Sequence, residues 1–285
     1  MIEQARLVLR ERRPQGTRIA LAPGLSVGGP AFVVMAGPCA VEGPEQMAEI
    51  AAAVAEAGCA VLRGGAFKPR TSPYSFQGLG AAGVRLLLDA AERQGLCAVT
   101  EVLDAADLPA FGGVTLLQVG ARNMQNYALL KRLSQDRRPV LLKRGFAATV
   151  DEWLLAAEYL LAGGNDQVIL CERGIRSFEP ATRNTLDLSA VVLAKERTHL
   201  PVVVVPSHAS GHRELVIPLS LAAAAVGADG LLVEAHPRPG EALCDGAQAL
   251  FPEDLRELMR RLRPVLHAVG REMWRPAQLR RAVAR

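Results

Sequence analysis

With 285 residues, half of them hydrophobic, 22% charged and a formal net charge of +4, the chain has the composition of one large globular domain with a sizeable core. No apolar run approaches the ~18 uncharged residues of a membrane span, and the charged start, Met1 to Arg13, lacks the apolar stretch of a secretory signal, so a cytoplasmic protein without a membrane partner is expected. The five cysteines form no C-x-x-C pair and read as reduced thiols, and the basic excess collects in Arg271, Arg275, Arg280, Arg281 and Arg285 with little aromatic interleaving, which argues against nucleic acid.

Residues 1–30 read as an N-terminal extension. Arg18 to Leu21 and Phe32 to Met35 flank a Gly/Pro-rich stretch, predicting a hairpin with the start of the domain that caps its underside. Residues 31–268 repeat one unit, a short apolar run followed by a helix-period segment. Strands are predicted at Phe32 to Ala36, Ala60 to Arg63, Cys97 to Glu101, Thr115 to Val119, Pro139 to Lys143, Gln167 to Cys171, Pro201 to Val205 and Gly230 to Glu234. Pro44 with Glu45 opens a helix ending at Gly58, Thr149 with Glu152 forms a capping box ahead of Trp153, Ala157 and Leu160, and Pro252, Glu253 and Asp254 open the last helix. Runs such as Val202 to Val205 suit strands buried on both faces of a parallel sheet. Eight units favour a single (β/α)8 TIM barrel over an open doubly wound sheet, and no G-x-G-x-x-G follows the first strand. Residues 269–285 form a basic tail, expected to be solvated or to contact another subunit.

In a barrel, the polar residues ending each strand converge on one face. They are Cys39, Arg63 and Lys68, Glu101, Arg122, Lys143, Glu172 with Arg173, His208, and Glu234 with His236. Cys39, His208, Glu234 and, from the following loop, Asp245 mix soft and hard donors in a way that suits a divalent ion such as manganese, iron, zinc or cobalt. Arg63, Lys68, Arg70, Arg122, Lys143 and Arg173 put positive charge on the same rim. Neighbouring glycines, Gly64-Gly65, Gly120, Gly145 and Gly174, suggest room for an anion approached by backbone, hence a phosphate-rich substrate. The chain has only four lysines, and two of them, Lys68 and Lys143, lie in this set.

The motifs Ala36-Gly37-Pro38-Cys39, Leu62 to Ser72 (LRGGAFKPRTS), Val119-Gly120-Ala121-Arg122-Asn123, Leu142-Lys143-Arg144-Gly145, Cys171-Glu172-Arg173-Gly174, Pro206-Ser207-His208 and Val233 to Pro237 (VEAHP) occur in one order. The chain strongly resembles the 3-deoxy-D-arabino-heptulosonate 7-phosphate (DAHP) synthases, in the compact subgroup related to the 3-deoxy-D-manno-octulosonate 8-phosphate synthases, over about Phe32 to His267. The resemblance implies the first enzyme of the shikimate pathway of aromatic amino acid biosynthesis, joining phosphoenolpyruvate to erythrose 4-phosphate with release of phosphate. It makes Cys39, His208, Glu234 and Asp245 the metal ligands. Arg122, Lys143 and Arg173 become the holders of phosphoenolpyruvate, with Arg63 and Lys68 beside them, and Arg70 and Thr71 become contacts to the aldose phosphate. Lys68, Glu101 and His208 are the candidate catalytic groups, Glu101 as an orienter of the attacking water. The resemblance also implies a homodimer or homotetramer, without the N-terminal regulatory domain that some relatives carry.

Two departures stand out. Val205 occupies the place of a common acidic residue before Pro-Ser-His, and Arg238 the place of a common acid after His-Pro; loss of an acid near a metal weakens the orientation of its ligands. The Lys-Pro-Arg-Thr-Ser run favours erythrose 4-phosphate over arabinose 5-phosphate. The alternatives are an octulosonate synthase or specialised-pathway paralogue using another aldose phosphate, a metal-free enzyme with Lys143 as Schiff-base nucleophile, and a non-catalytic barrel that partners a pathway enzyme.

Overall fold

The structure is a computed structural model and describes residues 4–275. Two short strands come first, β1 (Ile19–Ala22) and β2 (Leu25–Val27), followed by β3 (Ala31–Gly37), β4 (Val61–Arg63), β5 (Cys97–Glu101), β6 (Leu116–Val119), β7 (Val140–Lys143), β8 (Val168–Glu172), β9 (Val202–Val204) and β10 (Gly230–Glu234). From β3 onward each pairs in parallel with the next, and β10 returns to pair with β3, Gly230 beside Val33 through Glu234 beside Gly37. That closure makes an eight-stranded barrel and excludes the open sheet.

Helices return the chain between strands: α1 (Pro44–Glu56), α2 (Gly80–Arg93), α3 (Tyr127–Leu133), α4 (Val150–Ala162), α5 (Leu188–Arg197), the pair α6 (Pro206–Ser210) and α7 (Arg213–Ala225) after β9, and α8 (Pro252–Ala268). After β5 the connection is a 3-10 segment, Ala105–Phe111, with Pro109 inside, where a missing N–H disfavours an α-helix. α1 starts at Pro44 and buries Met47, Ile50, Ala51 and Val54, one face at helical spacing. α4 has the capping box between Thr149 and Glu152 and buries Trp153, Ala157 and Leu160; the Trp153 indole donates to the Leu142 carbonyl at 3.1 Å. Among the described residues no helix is long and apolar enough to cross a membrane.

Because successive strand residues face opposite ways, the barrel wall separates two apolar cores. Outward residues such as Phe32, Val34, Leu62, Leu117, Leu142, Leu170, Val204 and Val233 meet the helices. Inward residues Val33, Met35, Val61, Val99, Leu116, Leu141, Ile169, Val203 and Leu232 meet Ile19, Leu21, Leu25 and Val27. The hairpin is therefore a plug at the strands' amino ends. Its second strand is β2, paired antiparallel with β1, and the expected pairing of Arg18 to Leu21 with Phe32 to Met35 does not form, because Phe32 to Met35 belong to the barrel wall. Pro23-Gly24, with Gly24 at φ +76°, turns the chain early enough to leave β3 free.

The basic tail begins differently from expectation. A short strand β11 (Glu272–Met273) pairs with Ala31 and Phe32 of β3, Trp274 joins the plug, and Arg271 donates to the carbonyls of Ala228 and Gly29 at 2.6 and 3.0 Å. Arg280, Arg281 and Arg285 lie outside the described residues.

Candidate active site

The inward parity that builds the plug continues toward the carboxyl ends of the strands. Two residues beyond Val61 stands Arg63, beyond Val99 Glu101, beyond Leu116 Gln118, beyond Leu141 Lys143, beyond Cys171 Arg173 and beyond Leu232 Glu234. Polar side chains, all but Gln118 of them charged, thus replace apolar ones on the same inner face. Above them lies a cavity of about 260 Å³, lined among others by Lys68, Arg70, Thr71, Glu101, Arg122, Lys143, Arg173, Arg183, His208 and Asp245.

Cys39, His208, Glu234 and Asp245 bring one donor atom each to within 4.8 Å of one another. Cys39 follows β3, and its thiol donates to Asp245 Oδ2 at 3.2 Å. His208 rides on α6, which Pro206 starts directly after β9; its Nε2 lies 3.1 Å from Glu234 Oε1 and 3.7 Å from Asp245 Oδ2. The Ser207 hydroxyl accepts the Glu234 N–H at 3.0 Å and fastens α6 to β10. Asp245 has φ +54°, the left-handed region, alone among the described non-glycine residues.

The donor chemistry fits a divalent ion. Burial, reinforced by Lys143, Arg63, Arg173 and Arg183, pulls His208 well below its ordinary pKa and keeps the imidazole neutral, as a metal ligand must be. Burial opposes ionisation of Asp245, yet Arg183, the Cys39 thiol and Lys68 outweigh it and hold the carboxyl below its usual range. The neighbouring Cys244, ahead of burial and Glu234, raises Cys39 well above the usual thiol value, and Cys39 in turn, ahead of Lys68 and Arg70, draws Cys244 below it. A cation at Cys39 would displace its proton.

The positive groups divide into two kinds. Arg63 is 4% exposed and committed to the donor set: its Nη1 lies 2.7 Å from Glu234 Oε1 and its Nη2 donates to the Cys39 carbonyl at 3.4 Å. Lys68 donates to the Cys39 carbonyl at 2.8 Å and to its sulfur at 3.0 Å while also lining the cavity. Lys143 is 5% exposed, and burial pulls it down to about 8. Arg173, held down to about 10 chiefly by burial, stacks on Phe146 at 4.7 Å, with Arg122 and Arg176 at 5.4 Å from the same ring. That ring gathers guanidinium groups that would otherwise repel one another. Glu101 accepts from Gln118 Nε2 at 2.8 Å. Arg70 donates to Cys244 at 2.8 Å, and Thr71 is exposed at the rim.

Three expectations change. Glu172 and His236 do not reach the cavity. Glu172 is the outward neighbour of Cys171, paired to Arg144 at 3.0 Å and accepting the Gly174 N–H at 2.6 Å, so it supports the loop that carries Arg173. His236 Nδ1 accepts the Arg238 N–H at 3.0 Å, and its Nε2 lies 3.3 Å from Glu42. The glycines leave room for protein instead of an anion: a Cβ on Gly65 would stand 2.6 Å from the Cys39 carbonyl, and one on Gly120 would collide with the Glu101 carboxylate. Val205 packs fully buried among the inward apolar residues, and Arg238 pairs with Glu49 and Glu241 at the surface, outside the donor set. His208 Nδ1 is buried without a hydrogen-bond partner among the described residues.

Arg183, Gln248 and Phe146 escape the sequence reading. Arg183 and Phe146 lie on loops and Gln248 ends a three-residue 3-10 turn, where neither strand-end position nor periodicity marks them, and Arg183 is one of twenty-nine arginines.

The chain matches the model of the DAHP synthetase I family over residues 18–267. It is 51% identical over 271 residues to a phospho-2-dehydro-3-deoxyheptonate aldolase of Thermotoga maritima, covering 95% of this chain and 80% of that one. A crystal structure of DAHP synthase from the same organism superposes with a TM-score of 0.92 at 50% identity, over 95% of this chain and 79% of that one. A 2-dehydro-3-deoxyphosphooctonate aldolase of Alkalilimnicola ehrlichii is 33% identical over 254 residues, 82% of this chain and 90% of its own length.

Proposed function

Since the chain belongs to the DAHP synthetase I family, we propose that it condenses phosphoenolpyruvate with erythrose 4-phosphate, giving 3-deoxy-D-arabino-heptulosonate 7-phosphate and inorganic phosphate with the help of a divalent metal. The observation that carries this reading is the four-donor cluster of Cys39, His208, Glu234 and Asp245 beside a cavity walled by buried or gathered cations.

Lys143, Arg173 and Arg122 bind the phosphate and carboxylate of phosphoenolpyruvate; Lys143 has no carboxylate of its own within hydrogen-bond reach among the described residues, so the substrate supplies its countercharge. Arg63 holds Glu234 in the donor set. Arg70 and Thr71 face the aldose phosphate at the rim. A bound divalent cation supplies Lewis acidity toward the aldehyde. Carbon 3 of phosphoenolpyruvate forms the new bond to the aldehyde carbon, and the aldehyde oxygen takes a proton, for which Lys68 is the placed donor. The cationic charge left at carbon 2 accepts water, whose proton passes to Glu101, held in orientation by Gln118. The bond between carbon 2 and the bridging phosphate oxygen then breaks, the new hydroxyl gives its remaining proton to the departing phosphate, and the ketone is left.

Phosphate release from phosphoenolpyruvate by metal-reconstituted protein, with erythrose 4-phosphate and arabinose 5-phosphate in parallel and a chelator control, tests the reading. Chelator-sensitive release with erythrose 4-phosphate is the expected result. Release only with arabinose 5-phosphate moves the chain to the octulosonate branch, and silence with both removes the proposed reaction. The burial that draws Lys143 down to about 8 favours a second reading, a lysine Schiff base; borohydride trapping at Lys143, indifferent to chelator, would replace the metal mechanism with that one.

A further inference from the structure

Arg183 lies on the loop between β8 and α5, and its backbone is fixed to the helix that carries His208. Its N–H donates to the Ser210 carbonyl at 3.0 Å, and the N–H of Asn184 donates to the Ala209 carbonyl at 2.7 Å. Gly211 makes this approach feasible: it sits at φ +74°, and a Cβ there would come within 2.8 Å of Arg183 Cβ. From that base the side chain crosses the cavity edge, 39% exposed, and Nη1 reaches Asp245 Oδ1 and Gln248 Oε1, each at 3.1 Å.

Asp245 is divided by this contact. Oδ1 belongs to Arg183, while Oδ2 faces Cys39 Sγ at 3.2 Å and His208 Nε2 at 3.7 Å. Gln248 extends the reach of the arginine. Only 2% exposed, it accepts from Arg183 through Oε1 and donates through Nε2 to Glu234 Oε2. A carboxamide suits the position because its two ends differ: one oxygen for a guanidinium, one NH2 for a carboxylate. A glutamate there would repel Glu234, and a leucine would leave a buried carboxylate oxygen without its donor.

We infer that Arg183 and Gln248 form a brace that aims two of the four metal donors, Asp245 directly and Glu234 through the carboxamide, and that this brace sets the affinity and geometry of the metal site. Both are positioning residues. The inference rests on the metal reading above and concerns binding of the ion, so it can be tested without turnover.

Cobalt(II) is the probe, since its thiolate absorption band reports coordination at Cys39. Affinity is read by chelator competition and geometry by the band, for the natural protein, Arg183→Ala, Arg183→Lys, Gln248→Leu and Gln248→Glu. Losing such an outer partner typically weakens binding about 10- to 100-fold. Arg183→Ala and Gln248→Glu are expected to weaken cobalt binding about tenfold or more and to shift the band, with Gln248→Leu weaker in effect and Arg183→Lys partly restored. Thermal unfolding of the metal-free Arg183 variants should match the natural protein, separating aim from folding, whereas the metal-free Gln248 variants should unfold earlier because buried Glu234 loses its donor or gains a repelling neighbour. Unchanged affinity and band in both Arg183→Ala and Gln248→Leu overturn the brace. A natural protein with no cobalt–thiolate band overturns the metal reading itself, and the brace falls with it.

Discussion

The two ends of this barrel are made by the same strands and the same inward register, yet they solve opposite problems. At the amino ends, Val33, Val61, Val99, Leu116, Leu141 and Leu232 close over the hairpin residues Ile19, Leu21, Leu25 and Val27 and exclude water. Two residues further along, Arg63, Glu101, Gln118, Lys143 and Glu234 are held in the same wall, several of them nearly as buried. The floor gains from burial, about 1.5–3 kcal/mol for each large apolar side chain. The mouth loses by it, because its charges are stripped of water and only partly paired. Stability comes from the floor, and poised charge is maintained at the mouth against that stability.

Substitutions at the two ends should therefore separate folding from chemistry. The largest effect is expected for His208→Ala: turnover in the phosphate-release assay should fall on the order of 10³-fold, as when a catalytic electrostatic group is lost, with cooperative unfolding kept. A melting point lowered as far as by a floor mutation would erase the distinction. At the floor, Leu25→Ala should cost about 3 kcal/mol in urea unfolding through the cavity it leaves, with the metal affinity of the folded protein unchanged. A shift in metal affinity there would mean that the two ends are mechanically coupled.

Lys143→Met sharpens the comparison, because stability and affinity should move in opposite directions. The lysine titrates at about 8 in the folded chain, against 10.5 ordinarily. As pH falls from 10.5 to 8 the unfolded chain takes up the proton first, so this group lowers stability progressively and imposes its full penalty below 8. The variant should thus be more stable than the natural protein at pH 7, by at most about 3 kcal/mol, and equal to it above pH 10.5. Anion binding needs the ammonium, so kcat/KM of the natural protein should be full below about pH 8 and decline above it, up to tenfold per unit. A flat profile through pH 9 would show that Lys143 does not carry the substrate's charge. The smallest effect is expected from Arg238→Ala: KM and metal affinity should change less than about twofold, because its partners Glu49 and Glu241 lie at the surface with it.

Much of this was legible in the sequence, for an identifiable reason. The eight apolar runs are short and bounded, so their ends are marked, and a polar residue at the end of a buried strand has few places to go other than the mouth. Cys39, His208, Glu234 and Asp245 converge accordingly. What the sequence hides is which of two adjacent polar residues faces inward. Glu172 and Arg173 are neighbours, and alternation sends the first to Arg144 and the second to the cavity. The hairpin's true second strand is hidden because β2 is only three residues long, too short to show a period, whereas Phe32 to Met35 look like the natural partner of β1. Arg183 and Gln248 matter through partners far away in sequence, and nothing local announces such contacts.

The shared register also bears on how such a chain can change over generations. Val61 and Arg63 stand on one face of one three-residue strand, so slipping β4 by one residue against its neighbours would turn the plug contact and the Glu234 partner away together. No intermediate slip spares one and alters the other. Lineages descending from such a barrel are consequently free to lengthen, shorten or recompose the segments beyond the strand ends, where Thr71, Phe146 and Arg183 lie, while strand lengths are inherited nearly intact. New substrate preferences should arise by editing loops, and the paired ancestry of floor and mouth should be visible as strands that never change phase.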